Sequence, residues 1–319
     1  MKFGTVAGID KPISRVVMGT MIITAREMDR SLALLDAAAA EGCNAVDGAH
    51  IYGGGDSERA IGHWMRERKC RDQIVVITKG CHPNADRVRV TPFDMAADLH
   101  DSLARLKTDY IDLYMLHRDD PAVPVGEIVD ALNEHLRAGR IRAFAGSNWS
   151  HARLAEGNAY AQRRGITGFA AGSPNYSLAV AFDAAWTGCT SVRGPGSEGA
   201  EDWYARTQTP LFAWSSLARG LFSGRADRTN AETTMDSGGR RAFAYEENFK
   251  RLDRAVLLAK EKGCTVTQIA LAWIMTGPLN VFALTGAASR EECRANAAAL
   301  EIPLTARERD WLDLKEDDR

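Results

Sequence analysis

Eight short apolar runs alternate with helical patterns along this chain, and that alternation limits the fold more than any other feature. The runs are 16-VVM-18, 44-NAVD-47, 74-IVVITK-79, 111-IDLYMLH-117, 143-AFAGS-147, 168-GFAAGS-173, 211-LFAWSS-216 and 281-VFALTG-286. They show little polar alternation, as expected of parallel strands buried on both faces. Between them, 29-DRSLALLDAAAAEG-42 is rich in Ala and Leu and stops at Gly. The segment 91-TPFDMAADLHDSLARLK-107 opens with a capping pattern and with Pro at the first helical position. Its apolar stripe is expected at Phe93, Ala96, Leu99, Leu103 and Leu106. The segment 126-GEIVDALNEHLRAG-139 repeats the form. Eight such units predict an α/β fold, a closed (β/α)8 TIM barrel. Residues 1–319 then form a single domain with long loops at the C-terminal mouth. An open doubly wound sheet is the alternative. Residues 183–209 and the polar, Gly-rich 222–240 interrupt the rhythm, and insertions of this kind often serve as lids or binding loops.

In such a barrel the chemistry gathers at the C-terminal strand ends. The second run leads into Asp47, His50 and Tyr52, the third ends at Lys79, and the fourth ends at His117. A free phenol, with a reference pKa of about 10, is a poor acid at neutral pH. An adjacent ammonium favours the phenolate and lowers that pKa. A carboxylate keeps the ammonium charged and in place, and an imidazole orients the substrate oxygen. Together they make a tuned proton donor for a carbonyl. Hydride must then come from a nicotinamide cofactor, because no side chain supplies it. Each residue alone also has an ordinary reading: a cap carboxylate, a packed aromatic, a solvated lysine, a satisfied core histidine. Those readings compete poorly for four complementary strand-end residues at once.

The charge balance argues against other partners. A formal net charge of −2 gives no basic field for nucleic acid or an anionic membrane. No apolar run suits a transmembrane helix, and 1-MKFGTVAGIDKP-12 has no apolar core of a signal peptide. The sequons 148-NWS-150 and 175-NYS-177 are then chance matches. Six scattered cysteines without a C-x-x-C predict reduced thiols in a cytoplasmic protein, with neither a disulfide framework nor a structural metal.

The motifs 47-DGAHIYG-53 with Ser57 and Glu58, 78-TKG-80, 116-LHRD-119, 146-GSN-148, 175-NYS-177, 214-WSSLARG-220 and 286-GAASREECRAN-296 resemble the aldo-keto reductases over nearly the whole chain. The resemblance implies a catalytic tetrad of Asp47, Tyr52, Lys79 and His117. Tyr52 would be the acid in reduction and, as phenolate, the base in oxidation. It also implies an extended dinucleotide across the mouth. Ser147, Asn148 and Ser173 would lie at the carboxamide and Trp214 on the nicotinamide ring, with Ser215, Leu217 and Gly220 at the pyrophosphate. Thr20, Gly286, Ser289, Arg290, Glu292 and Asn296 complete the cofactor set. Ser173 stands where Gln is usual, and Glu292 where Gln or Arg is common. Glu292 disfavours a 2′-phosphate but suits a free ribose hydroxyl, while Ser289, Arg290 and Arg294 could hold the phosphate. NADP(H) is favoured from the family and NAD(H) is the alternative. The lone G-x-G-x-x-G, 194-GPGSEG-199, lacks the strand and helix of a Rossmann site and reads as loop.

Met21, His50, Tyr52, Arg118 and Trp149 are expected to line the pocket. The expected substrate is a small polar carbonyl compound or a sugar-like alcohol. Rival readings are a metal-dependent hydrolase using His50, His82, His117 and Asp47, a Schiff-base lyase using Lys79, and a cofactor-binding regulatory subunit. A monomer and a small homo-oligomer fit equally.

Overall fold

A computed structural model describes all residues from Met1 to Arg319. A two-stranded antiparallel ribbon, β1 (Phe3–Val6) and β2 (Ile9–Ser14), precedes eight parallel strands. These are β3 (Val16–Gly19), β4 (Ala45–Asp47), β5 (Val75–Gly80), β6 (Ile111–Leu116), β7 (Ile141–Ser147), β8 (Ala171–Ser173), β9 (Leu211–Ala213) and β10 (Val281–Thr285). They close in chain order, with β10 paired to β3. The eight apolar runs therefore each supply one barrel strand. The ribbon was not anticipated. Its Val6, Ile9 and Ile13 join the barrel-interior cluster, so it plugs the end opposite the mouth.

The interior cluster fixes which strand residues point inward. Val17, Ala45, Val75, Ile77, Leu113, Met115, Ala143, Ala145 and Ala171 belong to it, as do Phe212, Phe282 and Leu284. Side chains alternate along a strand. Continuing that phase by one step brings Asp47, Lys79, His117, Ser147, Ser173 and Trp214 to the mouth. A larger apolar layer lies between strands and helices.

The helix at Pro92–Leu106 departs from the expected stripe. Phe93 is 78% exposed, while Asp94 and Asp98 are buried with Met95, Leu99 and Leu106. Two arginines pair with these carboxylates. Arg89 bridges Asp94 and Asp98 at 3.2 and 2.6 Å, and Arg87 holds Asp94 at 2.7 Å. Paired carboxylates can be buried where lone ones cannot. The 194–199 stretch is loop, as expected, and ends at the N-cap of an eight-residue helix, Ala200–Thr207.

Candidate active site

Gly53, Gly54 and Gly55 all have positive φ (58, 65 and 93°) and turn the chain sharply after β4, which leaves Tyr52 at the mouth. The φ of 93° at Gly55 lies in the left-handed region that favours glycine. The buried Glu58 takes the Thr78 hydroxyl at 2.7 Å and Arg105 at 3.2 Å. Ser57 bonds the Thr20 hydroxyl at 2.9 Å. These contacts lock the loop after β4 to β3, β5 and the helix at Pro92–Leu106.

The Lys79 ammonium donates to both oxygens of Asp47, at 2.6 and 2.7 Å, and to the Gly48 carbonyl at 2.8 Å. Short contacts at both oxygens fit a carboxylate. Burial works against the Lys79 charge, but Asp47 and Tyr52 more than offset it and hold the ammonium above its ordinary range. Burial also lifts the Asp47 carboxyl. Lys79 Nζ lies 5.4 Å from the Tyr52 ring centroid. The Tyr52 and His117 rings meet edge-on at 5.9 Å.

Tyr52 differs from expectation in one respect. Burial raises its phenol above the ordinary value, and the opposing pull of Lys79 does not overcome it. Asp47 lies close enough to cancel part of the lysine's charge. The phenol therefore stays protonated at neutral pH, in the form a proton donor needs. His117 is held well below its ordinary pKa by burial, then by Lys79 and Arg118. Its Nδ1 is enclosed without a partner, whereas neither Nε2 nor the Tyr52 oxygen is enclosed. Two neutral polar atoms thus face the same opening. We expect His117 to remain an uncharged imidazole at pH 6.5. Heteronuclear NMR of labelled imidazole would check this, and a titration centred there would contradict it.

The residues expected at the carboxamide cluster where β7 and β8 end. Asn148, buried and at φ 59°, donates to the His117 carbonyl at 3.2 Å and to the Ser147 hydroxyl at 3.3 Å. Its side-chain oxygen accepts from the Thr190 amide at 3.3 Å. The Ser173 and Thr190 hydroxyls and the Trp214 indole nitrogen are enclosed with no protein partner. Thr190 was missed from sequence. It lies in the 183–209 insertion, where no periodicity marks which residue folds back. In the turn after β9, Ser215, Ala218, Arg219 and Gly220 have φ of 51, 49, 52 and 100°. The amides of Ser215, Ser216 and Leu217 donate to no protein acceptor. Orphaned hydroxyls beside a row of free amides suit a carboxamide and a pyrophosphate, so the residues present fit an extended dinucleotide.

At the remaining positions the side chains are more engaged. Thr20 spends its hydroxyl on the Asp47 carbonyl at 3.0 Å. Gly286 is exposed, and Asn296 lies on the buried face of the helix Arg290–Ala298. Ser289 caps that helix through the Glu292 amide at 3.2 Å, and Glu292 accepts from the Ala288 amide at 2.8 Å. Arg294 turns to Glu41 at 3.4 Å, while Arg290 is exposed and forms no ion pair.

Two expected pocket residues point elsewhere. His50 Nε2 is drawn to Asp101 at 3.2 Å and Asp98 at 3.7 Å on the helix Pro92–Leu106. Trp149 is 1% exposed, packs on Phe169 at 4.8 Å and donates its indole N–H to the Arg118 carbonyl. It belongs to the apolar layer. Met21 stands 63% exposed on the rim. Arg118 remains beside His117, whose carbonyl it holds at 2.8 Å. Asp47 is saturated by Lys79, and no group of three or more His, Cys, Asp or Glu side chains is placed to hold a metal ion. The insertions form the rim: Trp186 lies 5.9 Å from Trp214, and Arg219 stacks on Trp186 at 3.8 Å while pairing with Asp236.

A closed parallel barrel with this mouth and these motifs defines a class, and comparison with known proteins agrees. The Aldo/keto reductase family profile matches residues 15–316, so the chain belongs to that family. It is an oxidoreductase that interconverts a carbonyl compound and its alcohol with a nicotinamide cofactor. Uncharacterized oxidoreductase YrpG of Bacillus subtilis is 29% identical over 92% of this chain and 89% of its own length. An aldo-keto reductase from Klebsiella pneumoniae, solved with NADPH, is 25% identical with a TM-score of 0.73 over 100% of this chain and 97% of that one. The glycerol dehydrogenase of Gluconobacter oxydans shares the fold, with a TM-score of 0.79 and 24% identity over 98% and 94% of the two chains.

Proposed function

We propose that Tyr52 is the general acid for carbonyl reduction and, as phenolate, the base for alcohol oxidation. The observation that carries this reading is the Asp47-held Lys79 ammonium 5.4 Å from the Tyr52 ring, with neutral His117 on the other side. The bound nicotinamide cofactor supplies the hydride. The carbonyl oxygen lies between Tyr52 and His117. In the tautomer with a proton on Nε2, His117 donates to that oxygen and leaves only a lone pair at the enclosed Nδ1. Tyr52 passes its proton to the oxygen, and Lys79 stabilises the phenolate that forms. Asp47 positions Lys79. Ser147, Asn148 and Ser173 bind the carboxamide, Trp214 covers the ring, and the turn at Ser215, Leu217 and Gly220 binds the pyrophosphate.

The substrate in this reading is a small polar carbonyl compound or sugar-like alcohol, met by Met21 and Arg118. Residues 1–319 act as one domain in the cytoplasm, as a monomer or small homo-oligomer, without nucleic acid or membrane. NADP(H) is the preferred cofactor, supported by the NADPH-bound Klebsiella relative and by the unpaired Arg290. Glu292 opposes that preference, since its carboxylate holds the Ala288 amide. Titration of tryptophan fluorescence with NADPH and NADH tests the reading, and weak binding of both would overturn it. Glu292→Gln should shift the NADPH-to-NADH affinity ratio toward NADPH by about three- to tenfold, the worth of one like-charge contact at a partly exposed site. An unchanged ratio would place the ribose away from Glu292.

A further inference from the structure

We propose that the substrate carries a carboxylate, and that Arg118 binds it. The inference rests on the reading of the mouth as a carbonyl-reducing site and narrows its substrate class.

The chain buries two arginines, Arg118 and Arg251. Arg251 faces Asp313 at 3.6 Å. Arg118, 8% exposed, forms no ion pair, and the adjacent Asp119 is taken by Arg153 at 3.3 Å. An unpaired guanidinium is costly to bury. Its setting is nevertheless well built. Nη1 donates to the His117 carbonyl at 2.8 Å and Nε to the Thr187 carbonyl at 3.4 Å. Gly188, at φ 74°, brings the 183–209 insertion against the stem, where a Cβ would lie 3.3 Å from Arg118 Cδ. The third nitrogen, Nη2, has no protein partner and is not enclosed, and the guanidinium lies close enough for its charge to act on both Tyr52 and His117.

The charges nearest the reacting position are otherwise balanced: Lys79 is matched by Asp47 and Arg219 by Asp236. One positive charge is left beside the position of the reacting carbonyl. One unbalanced guanidinium is neutralised by a carboxylate monoanion, whereas a phosphate dianion would leave a net negative charge at the buried site. The wild-type site then turns the cost of burying Arg118 into selection of acids over neutral compounds, because a neutral substrate leaves the Arg118 charge without a counter-ion.

The test compares kcat/KM for three carboxylate aldehydes, each against a neutral counterpart: glyoxylate with methyl glyoxylate, 4-oxobutanoate with butanal, and 4-carboxybenzaldehyde with methyl 4-formylbenzoate. The spacing between aldehyde and carboxylate differs among them. At least one acid should exceed its counterpart by about tenfold or more, as expected of one charge-assisted contact. In Arg118→Met that preference should vanish, and in Arg118→Lys it should persist in part, since the charge remains and the fork does not. A purely structural role for Arg118 would lower acid and neutral rates alike and leave their ratio unmoved. Wild-type ratios near one for all three pairs would overturn the inference without any variant. An acid preference that survives in Arg118→Met would overturn the assignment to Arg118. If no aldehyde of either kind is turned over with NADPH or NADH, the carbonyl-reducing reading itself fails, a result distinct from turnover without acid preference.

Discussion

Tyr52→Phe should lower kcat for carbonyl reduction by about 10²- to 10⁴-fold, the range for loss of a positioned general acid. The affinity for NADPH should change by less than about twofold, since a hydroxyl removed from the open mouth takes no cofactor contact with it. The substitution keeps the ring that packs edge-on to His117 at 5.9 Å. Stability should therefore hold, and the loss should appear in kcat. Stopped-flow measurement of the hydride-transfer step, beside fluorescence titration of the cofactor, separates the two quantities. Near-normal turnover in Tyr52→Phe would remove the phenol from the mechanism.

Lys79→Met should fail in two ways. The phenolate formed during reduction loses its charge partner, so the rate falls by a factor comparable to that of Tyr52→Phe. The fold also suffers, because Asp47 is 4% exposed and Lys79 bonds both of its oxygens. Removing one partner of a buried pair costs about 3–5 kcal/mol. The sign of the pH dependence follows from the stranded carboxyl. Without Lys79, burial raises the Asp47 pKa further above its unfolded value, so the folded chain binds a proton that the unfolded chain does not. The penalty is then full above the folded pKa and eases as pH falls through it. The variant should gain on the wild type in thermal stability as pH falls from neutral into the acidic range, where the raised carboxyl takes up its proton. Asp47→Asn combined with Lys79→Met should recover part of the lost stability but none of the activity. A melting temperature equal to that of the wild type at pH 8 would show that the pair contributes nothing to the fold.

The sequence determined the barrel and which strand-end residues share its inward phase. Both follow from local rules: an apolar run with little alternation makes a strand buried on both faces, and a period of two decides what faces inward. Asp47, Lys79, His117, Ser147 and Ser173 share the inward phase of Ala45, Ile77, Met115, Ala145 and Ala171, and that phase is readable without coordinates. Tertiary structure alone decided what those groups became. In the helix Pro92–Leu106 the stripe holds at Leu99, Leu103 and Leu106 but breaks at Phe93, which faces outward while Asp94 and Asp98 are buried in pairs with Arg87 and Arg89. The same carboxylate-rich helix took His50 from the pocket. Trp149 lies near the mouth in sequence but packs behind it, and Thr190 reaches the mouth from an insertion with no pattern. The phenol of Tyr52 rises rather than falls because burial and Asp47 act against Lys79. Arg118 is identifiable as a free charge only once Asp47, Asp119 and Asp236 are seen to pair with Lys79, Arg153 and Arg219. Strand phase depends on nearest neighbours along the chain. Ion pairing, burial and proton affinity depend on residues distant in sequence, brought together only when the barrel closes.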